Sequence, residues 1–235
     1  MRTCFLLIIA IIPSAIILRL IYKKDVEKEP LKLLFGLFGT GVISAFIAIY
    51  ISFVLNVIFP NFSPENIEGF DLIKASIYSF VFVALVEETT KWVFNYSIVF
   101  EHKQFNHIYD SIVYSVFIAL GFGTFENILY VLNYGFNIGI LRGIISIPTH
   151  AFYGVFMGYY IGMSKLAYLN GSKKLEKKYR IYSLLVPILL HGFFDFCLFS
   201  HNSLFILVFS IFVIFLYIKS IKIIKKLSNI KTNLY

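Results

Sequence analysis

Seven stretches of the chain, each close to 20 residues or longer and nearly free of charge, run over approximately 3–22, 33–59, 75–100, 111–134, 143–164, 181–200 and 202–218. A bilayer core of about 30 Å takes roughly 20 apolar residues of helix to cross. Inside it only a helix or a closed barrel satisfies its own backbone. The pattern therefore predicts an all-α, polytopic membrane helix bundle with about seven transmembrane helices. Composition agrees: 14% of residues are charged, against about 25% in an average soluble domain. The connections are too short and polar for a separate soluble domain, so residues 1–235 read as one integral membrane domain, with no internal repeat evident.

A net charge of +8 raises nucleic acid as a partner, but the basic residues alternate by connection. Lys23, Lys24, Lys28 and Lys32 follow the first stretch, and Lys103 the third. Lys165, Lys173, Lys174, Lys177, Lys178 and Arg180 follow the fifth; Lys219, Lys222, Lys225 and Lys226 follow the seventh. The positive-inside rule places all of these in the cytoplasm, with the N-terminus outside and the C-terminus inside. The opposite connections hold Glu65, Glu68 and Asp71, and then only Arg142. The charge thus points to a lipid bilayer and to no nucleic acid. Arg2 alone precedes the first stretch, and no small-x-small cleavage site precedes the lysine cluster, so that stretch is expected to be retained. Cys4 and Cys197 read as small apolar fillers.

A charged side chain at mid-membrane costs about 2.5–3.5 kcal/mol even on the lenient insertion scale, so each one needs a partner or a purpose. The third stretch holds Glu87, Glu88 and Lys91, the fourth Glu126 beside Asn127, the fifth His150, and the sixth His191 and Asp195. Lys91 is four residues from Glu87 and three from Glu88, so either carboxylate can pair with it along a helix. Neighbouring residues differ by roughly 100° around the axis, so one glutamate can face the ion pair while the other faces a cavity. His191 and Asp195 have the spacing at which a carboxylate orients an imidazole.

At 1.5 Å per residue from the expected outer ends, Asp195 lies about 8 Å deep, His150 and Glu126 about 10–12 Å, His191 about 14 Å and Glu87 about 18 Å. Four helices thus place polar groups in one band, from the middle to the outer half of the membrane. Pro148 and Pro187 are expected to bend their helices near the histidines. Gly121 and Gly123 flank Phe122 ahead of Glu126, while Gly154, Gly158 and Gly162 form a stripe suited to close helix packing. One membrane histidine alone would read as a hydrogen bond between helices, and one ion pair alone reads equally well as structural or functional; the conjunction points to a functional site. Rival readings are a proton- or cation-coupled transporter and a non-catalytic scaffold. The lack of inverted repeats and paired broken helices speaks against the transporter.

Glu87-Glu88-Thr89-Thr90-Lys91 resembles the Glu-Glu-x-x-Lys signature of the PrsW family of intramembrane proteases. Phe122-Gly123-Thr124-Phe125-Glu126-Asn127 resembles its Phe-x-x-x-Glu motif, and the segments opening on His150 and His191 resemble its two histidine motifs, in the same order. The resemblance covers roughly residues 30–200. It implies an intramembrane endopeptidase of the bacterial cell membrane, making the first, extracytoplasmic cut in a single-pass anti-sigma factor. The expected site residues are Glu87, Glu88, Lys91, Glu126, His150, His191 and Asp195.

Amide hydrolysis needs a deprotonated water, an oxyanion stabiliser and a proton for the leaving amine. Two schemes remain open. In one, without metal, Glu87 or Glu88 acts with Glu126 on the water while His191, oriented by Asp195, donates to the oxyanion. In the other, Glu126, His150 and His191 hold a zinc ion and Glu87 or Glu88 is the base. Cys197 and Ser146 lie near the histidines but belong to no recognisable nucleophile motif.

Overall fold

The computed structural model describes residues 2–62, 71–200, 202–230 and 234. They form α1 (Arg2–Lys24), α2 (Leu31–Ile58), α3 (Leu72–Ile77), a π-helical segment (Tyr78–Ala84), α4 (Leu85–Val99), α5 (Ile108–Tyr134), α6 (Phe136–Ile144), α7 (Ser146–Leu169), α8 (Lys173–Phe199) and α9 (Ser203–Ser228). Among the described residues, six stretches are long and apolar enough to cross a membrane: α1, α2, α5, α6 with α7, α8 and α9. The third expected span has another build. It winds through α3, the π segment and α4, with the Leu85 N–H reaching back five residues to the Phe80 carbonyl. Glu65 and Glu68, used to orient the chain, lie outside the described residues.

Burial decides which helix is central. Of the apolar window of each span, 78% is buried in α5 but 22% in α1 and α2 and 11% in α9. Outer positions of the peripheral helices, such as Phe35, Phe53, Leu204 and Ile211, are exposed, as lipid-facing side chains must be. The glycine stripe sets the α5–α7 approach: a Cβ on Gly158 would stand 2.6 Å from Ile112 Cα and 2.8 Å from its N. That is the packing role expected of small residues.

Two local expectations change. The fifth span starts at Ser146, preceded by the separate short helix α6, which the chain enters through Gly135 at φ +84°. Pro148 falls in the first turn of α7, where its missing N–H had no helical acceptor, so it helps start the helix instead of bending it. Pro187 does lie inside α8. Both cysteines are free; Cys197 is buried as a filler should be, whereas Cys4 is exposed on α1.

The basic connections gather at one end. Asn106 Nδ2 donates to Glu27 Oε2 at 3.2 Å, Leu234 N to Asn106 O at 2.6 Å, and Lys165 Nζ to Phe100 O at 2.8 Å. Cross-links at mid-height come from α5, where Thr124 Oγ1 donates to Ser14 Oγ and Asn127 Nδ2 to Ala10 O, both on α1.

Candidate active site

Glu87 and Glu88 begin α4 directly after the π segment, and the 100° between them separates their environments. Glu88 has a side chain 1% exposed; its Oε1 accepts from Lys91 Nζ at 2.7 Å. Glu87, 15% exposed, is 3.5 Å from the same ammonium and lines a cavity of about 810 Å³ that Glu88 and Lys91 do not line. Lys91 is fixed further by the Phe122 ring, 4.0 Å below its ammonium, and Trp92 Nε1 ties α4 to α8 through Ser183 Oγ at 2.7 Å.

His191 projects from α8 onto this frame. Its Nδ1 is 2.8 Å from Glu88 Oε1, an oxygen already held by the Lys91 ammonium, so the imidazole is the donor there. Nε2 is 3.3 Å from Asp195 Oδ2, one helical turn on, and 4.0 Å from Glu87 Oε2. Tyr153 stacks on the ring at 4.8 Å and 17°. The next residue, Gly192, lies against the Phe80 ring, so α8 and the π segment approach beside the histidine.

On the opposite wall His150 Nε2 is 3.0 Å from Glu126 Oε2. Its Nδ1 is buried without a hydrogen-bond partner. Gly123 makes room for the ring, since a Cβ there would be 2.9 Å from His150 Cδ2. The two histidines meet edge to face, with centroids 5.6 Å apart. All the residues expected from the sequence therefore converge: Glu87, Glu126, His150, His191 and Asp195 around the cavity, Glu88 and Lys91 behind it.

One residue of the site escaped sequence reasoning. Arg142, on α6, places Nη2 3.0 Å from Glu126 Oε2 and its guanidinium 3.8 Å over the Tyr130 ring, and it lines the cavity. The signal was present as a basic residue in a connection that the loop charges place on the outer side, an exception that called for a local anion.

The family model for the PrsW family intramembrane metalloprotease matches residues 29–219. The chain belongs to the PrsW family of intramembrane metalloproteases. It is 35% identical over 230 residues to Protease PrsW of Clostridioides difficile strain 630, covering 95% of this chain and 92% of that one. It is 32% identical over 216 residues to Protease PrsW of Oceanobacillus iheyensis, covering 92% and 93% of the two chains. For Protease PrsW of Bacillus subtilis strain 168 the identity is 34% over 189 residues, 80% of each chain. No solved structure matches. Membership makes the chain a multi-pass membrane protease and removes the transporter and scaffold readings.

The donor set fits a metal, as the family's description as metalloproteases implies. Glu87, Glu126 and His150 each offer a ligand atom within 4.8 Å of the others, as do Glu87, Glu88 and His191. Nitrogen and carboxylate oxygen suit zinc-type chemistry. The expected trio of Glu126, His150 and His191 is not among the compact groups: both nitrogens of His191 face carboxylates, Glu88 and Asp195, and Glu87 takes its place beside Glu126 and His150.

Proposed function

We propose that this protease makes the first, extracytoplasmic cut in a single-pass anti-sigma factor of the bacterial cell membrane, with Glu87, Glu126 and His150 holding zinc and His191 carrying the proton. The observation behind the assignment of roles is that Glu87 faces the cavity and reaches both histidine walls. A metal held by these three residues would polarise the scissile carbonyl and lower the pKa of a bound water.

The remaining steps belong to the chain. With Nδ1–H committed to Glu88, His191 presents Nε2 as the base that takes the proton of the attacking water. Glu88, on Nδ1–H, stabilises the imidazolium that forms, the part a carboxylate plays beside a catalytic histidine, and the nearby Asp195 adds its charge to that stabilisation. The water oxygen bonds to the carbonyl carbon, the C–N bond breaks, and Nε2–H returns its proton to the leaving amine. Glu88 and Lys91 hold the histidine without touching substrate. Arg142 keeps Glu126 in place.

Placement near the outer face is supported by position along the helices. His150 is four residues from the start of α7 and Asp195 four from the end of α8, about 6 Å by helical rise. Those ends are opposite to the lysine-rich connections, which the positive-inside rule puts in the cytoplasm. An anti-sigma factor with one membrane span, co-expressed with wild type or Glu87→Gln, tests the reading: cleavage should occur only with wild type, and purified active protein should carry stoichiometric zinc and lose activity to chelators. Cleavage by Glu87→Gln at the wild-type rate would overturn the assignment of roles, and activity without bound metal would restore the metal-free scheme.

A further inference from the structure

A second carboxylate cluster lies at the opposite, lysine-rich end of the bundle. Asp25 and Glu29, in the connection between α1 and α2, meet Asp110 of the first turn of α5, each offering an oxygen within 4.8 Å of the others. All three are more than nine-tenths buried, at 5%, 4% and 0% exposure. Acidic clusters on surfaces need no ligand; three carboxylates removed from water do, or must share protons.

The donors around them are committed elsewhere. An ammonium has three N–H groups, and those of Lys28 go to the main-chain carbonyls of Tyr22, Lys23 and Asp25 at 2.8, 3.1 and 2.5 Å. His107 Nδ1 pairs with Asn106 Oδ1 at 2.6 Å and stands 3.9 Å from Asp110 Oδ2 and from Glu27 Oε2. The Tyr114 hydroxyl reaches the Gln104 carbonyl and Glu29, and its single proton serves one of them. The backbone N–H groups of Asn106 and His107 both donate to Asp110 Oδ2, at 2.9 and 2.6 Å.

What is left over is one oxygen on each acid. Asp25 Oδ2, Glu29 Oε2 and Asp110 Oδ1 are buried without a hydrogen-bond partner. Three buried acids from two distant parts of the chain, each with one oxygen left over and with the second oxygen of Asp110 fixed by backbone, supply the donors a hard cation takes.

We infer that Asp25, Glu29 and Asp110 form an oxygen-ligated site for a divalent cation, Mg²⁺ or Ca²⁺, which ties the α1–α2 connection to the start of α5. Separations within 4.8 Å are of the scale such an ion spans. Oxygens around Mg²⁺ at 2.0–2.1 Å are separated by at most about 4.2 Å, and those around Ca²⁺ at 2.3–2.6 Å by about 4.6–5.2 Å. Burial also raises the pKa of Asp25 to about 6, against the partial pull of the Lys28 ammonium, and that of Glu29 to about 7, the response of desolvated carboxylates.

The test uses full-length protein carrying Glu87→Gln, which removes the carboxylate shared by both donor groups of the active-site cavity as a competitor. Tb³⁺ luminescence excited through tyrosine reads a cation beside Tyr114, and displacement by Mg²⁺ against Ca²⁺ identifies the preferred ion. Saturable Tb³⁺ signal displaced by one of them, together with a rise in melting temperature of roughly 5 °C at saturating cation, is expected. Both should be lost in Asp25→Asn/Glu29→Gln. Absence of a displaceable signal, or a response unchanged in the double variant, would overturn the site. Should the double variant misfold, Asp25→Asn alone must weaken cation binding at least tenfold, and equal affinity would be equally fatal.

Discussion

Glu88 Oε1 accepts from two residues at once, His191 Nδ1 at 2.8 Å and Lys91 Nζ at 2.7 Å. A single buried oxygen thereby links the charge frame to the histidine proposed to move protons. Removing Lys91 leaves this carboxylate uncompensated, which typically costs about 3–5 kcal/mol. Lys91→Met is expected to lower stability by that amount, while Lys91→Met with Glu88→Gln recovers at least half of it. Thermal or denaturant unfolding of the two variants in detergent measures the difference, and additive losses would contradict the coupling.

Glu87 and Glu88 should separate by phenotype. Glu87→Gln keeps the fold, because Glu88 still neutralises Lys91, and is expected to reduce cleavage by at least about 100-fold, the scale of a lost acid–base or ligand group. Glu88→Gln should lower stability as well as activity. Melting curves run beside the cleavage assay check the distinction; equal melting temperatures would refute it.

Arg142 acts through Glu126, with Nη2 at 3.0 Å. Arg142→Gln is expected to lower kcat about 10-fold or more with little change in KM. Arg142→Lys should restore part of it, since an ammonium supplies the charge but not the planar fork. A change confined to KM would instead assign Arg142 to substrate binding.

Gly123 offers a test of packing at the site. A methyl at this position would stand 2.9 Å from the His150 ring, whereas one at Gly36 would have nothing within 4 Å. Gly123→Ala is expected to cost about 1–3 kcal/mol through overpacking and to suppress cleavage. Gly36→Ala should be neutral in both assays.

The pH response comes from the far end of the bundle. With the pKa of Asp25 near 6 and that of Glu29 near 7, both raised by burial, folding favours their protonated forms. The stability they contribute is full below about pH 4, the unfolded range, and is lost as pH rises through 6–7. In chelator, the melting temperature should fall between pH 4 and 8, and Asp25→Asn/Glu29→Gln should make that fall shallower.

Much of this was legible in the sequence because lipid makes charge conspicuous. Glu87, Glu126, His150, His191 and Asp195 stood out as ionisable groups within apolar stretches, and the 3.6-residue period paired Lys91 with both glutamates before any coordinates. What the period cannot show is which glutamate turns inward, because that depends on the winding upstream. Glu88 is buried behind the cavity because α4 follows a π turn whose presence no local pattern announced. Arg142 was passed over as a site residue for a related reason: it belongs to a nine-residue helix, Phe136–Ile144, too short to stand out beside the long apolar spans. Asp25, Glu29 and Asp110 sit in or beside polar connections, where an acid is unremarkable until the chain folds it away from water.

The π segment has a consequence for how this site is dimensioned. A helix that bonds five residues back accommodates one residue more per closed ring than an α-helix, and one residue is worth roughly 100° of rotation downstream. The direction in which Glu87 points is therefore set by the number of residues between the capped start of α3 at Asp71 and the first turn of α4, independently of any contact Glu87 makes. The orientation of Glu87 is stored as chain length. A sequence could keep every acid, histidine and lysine of the site and still lose it by counting one residue short.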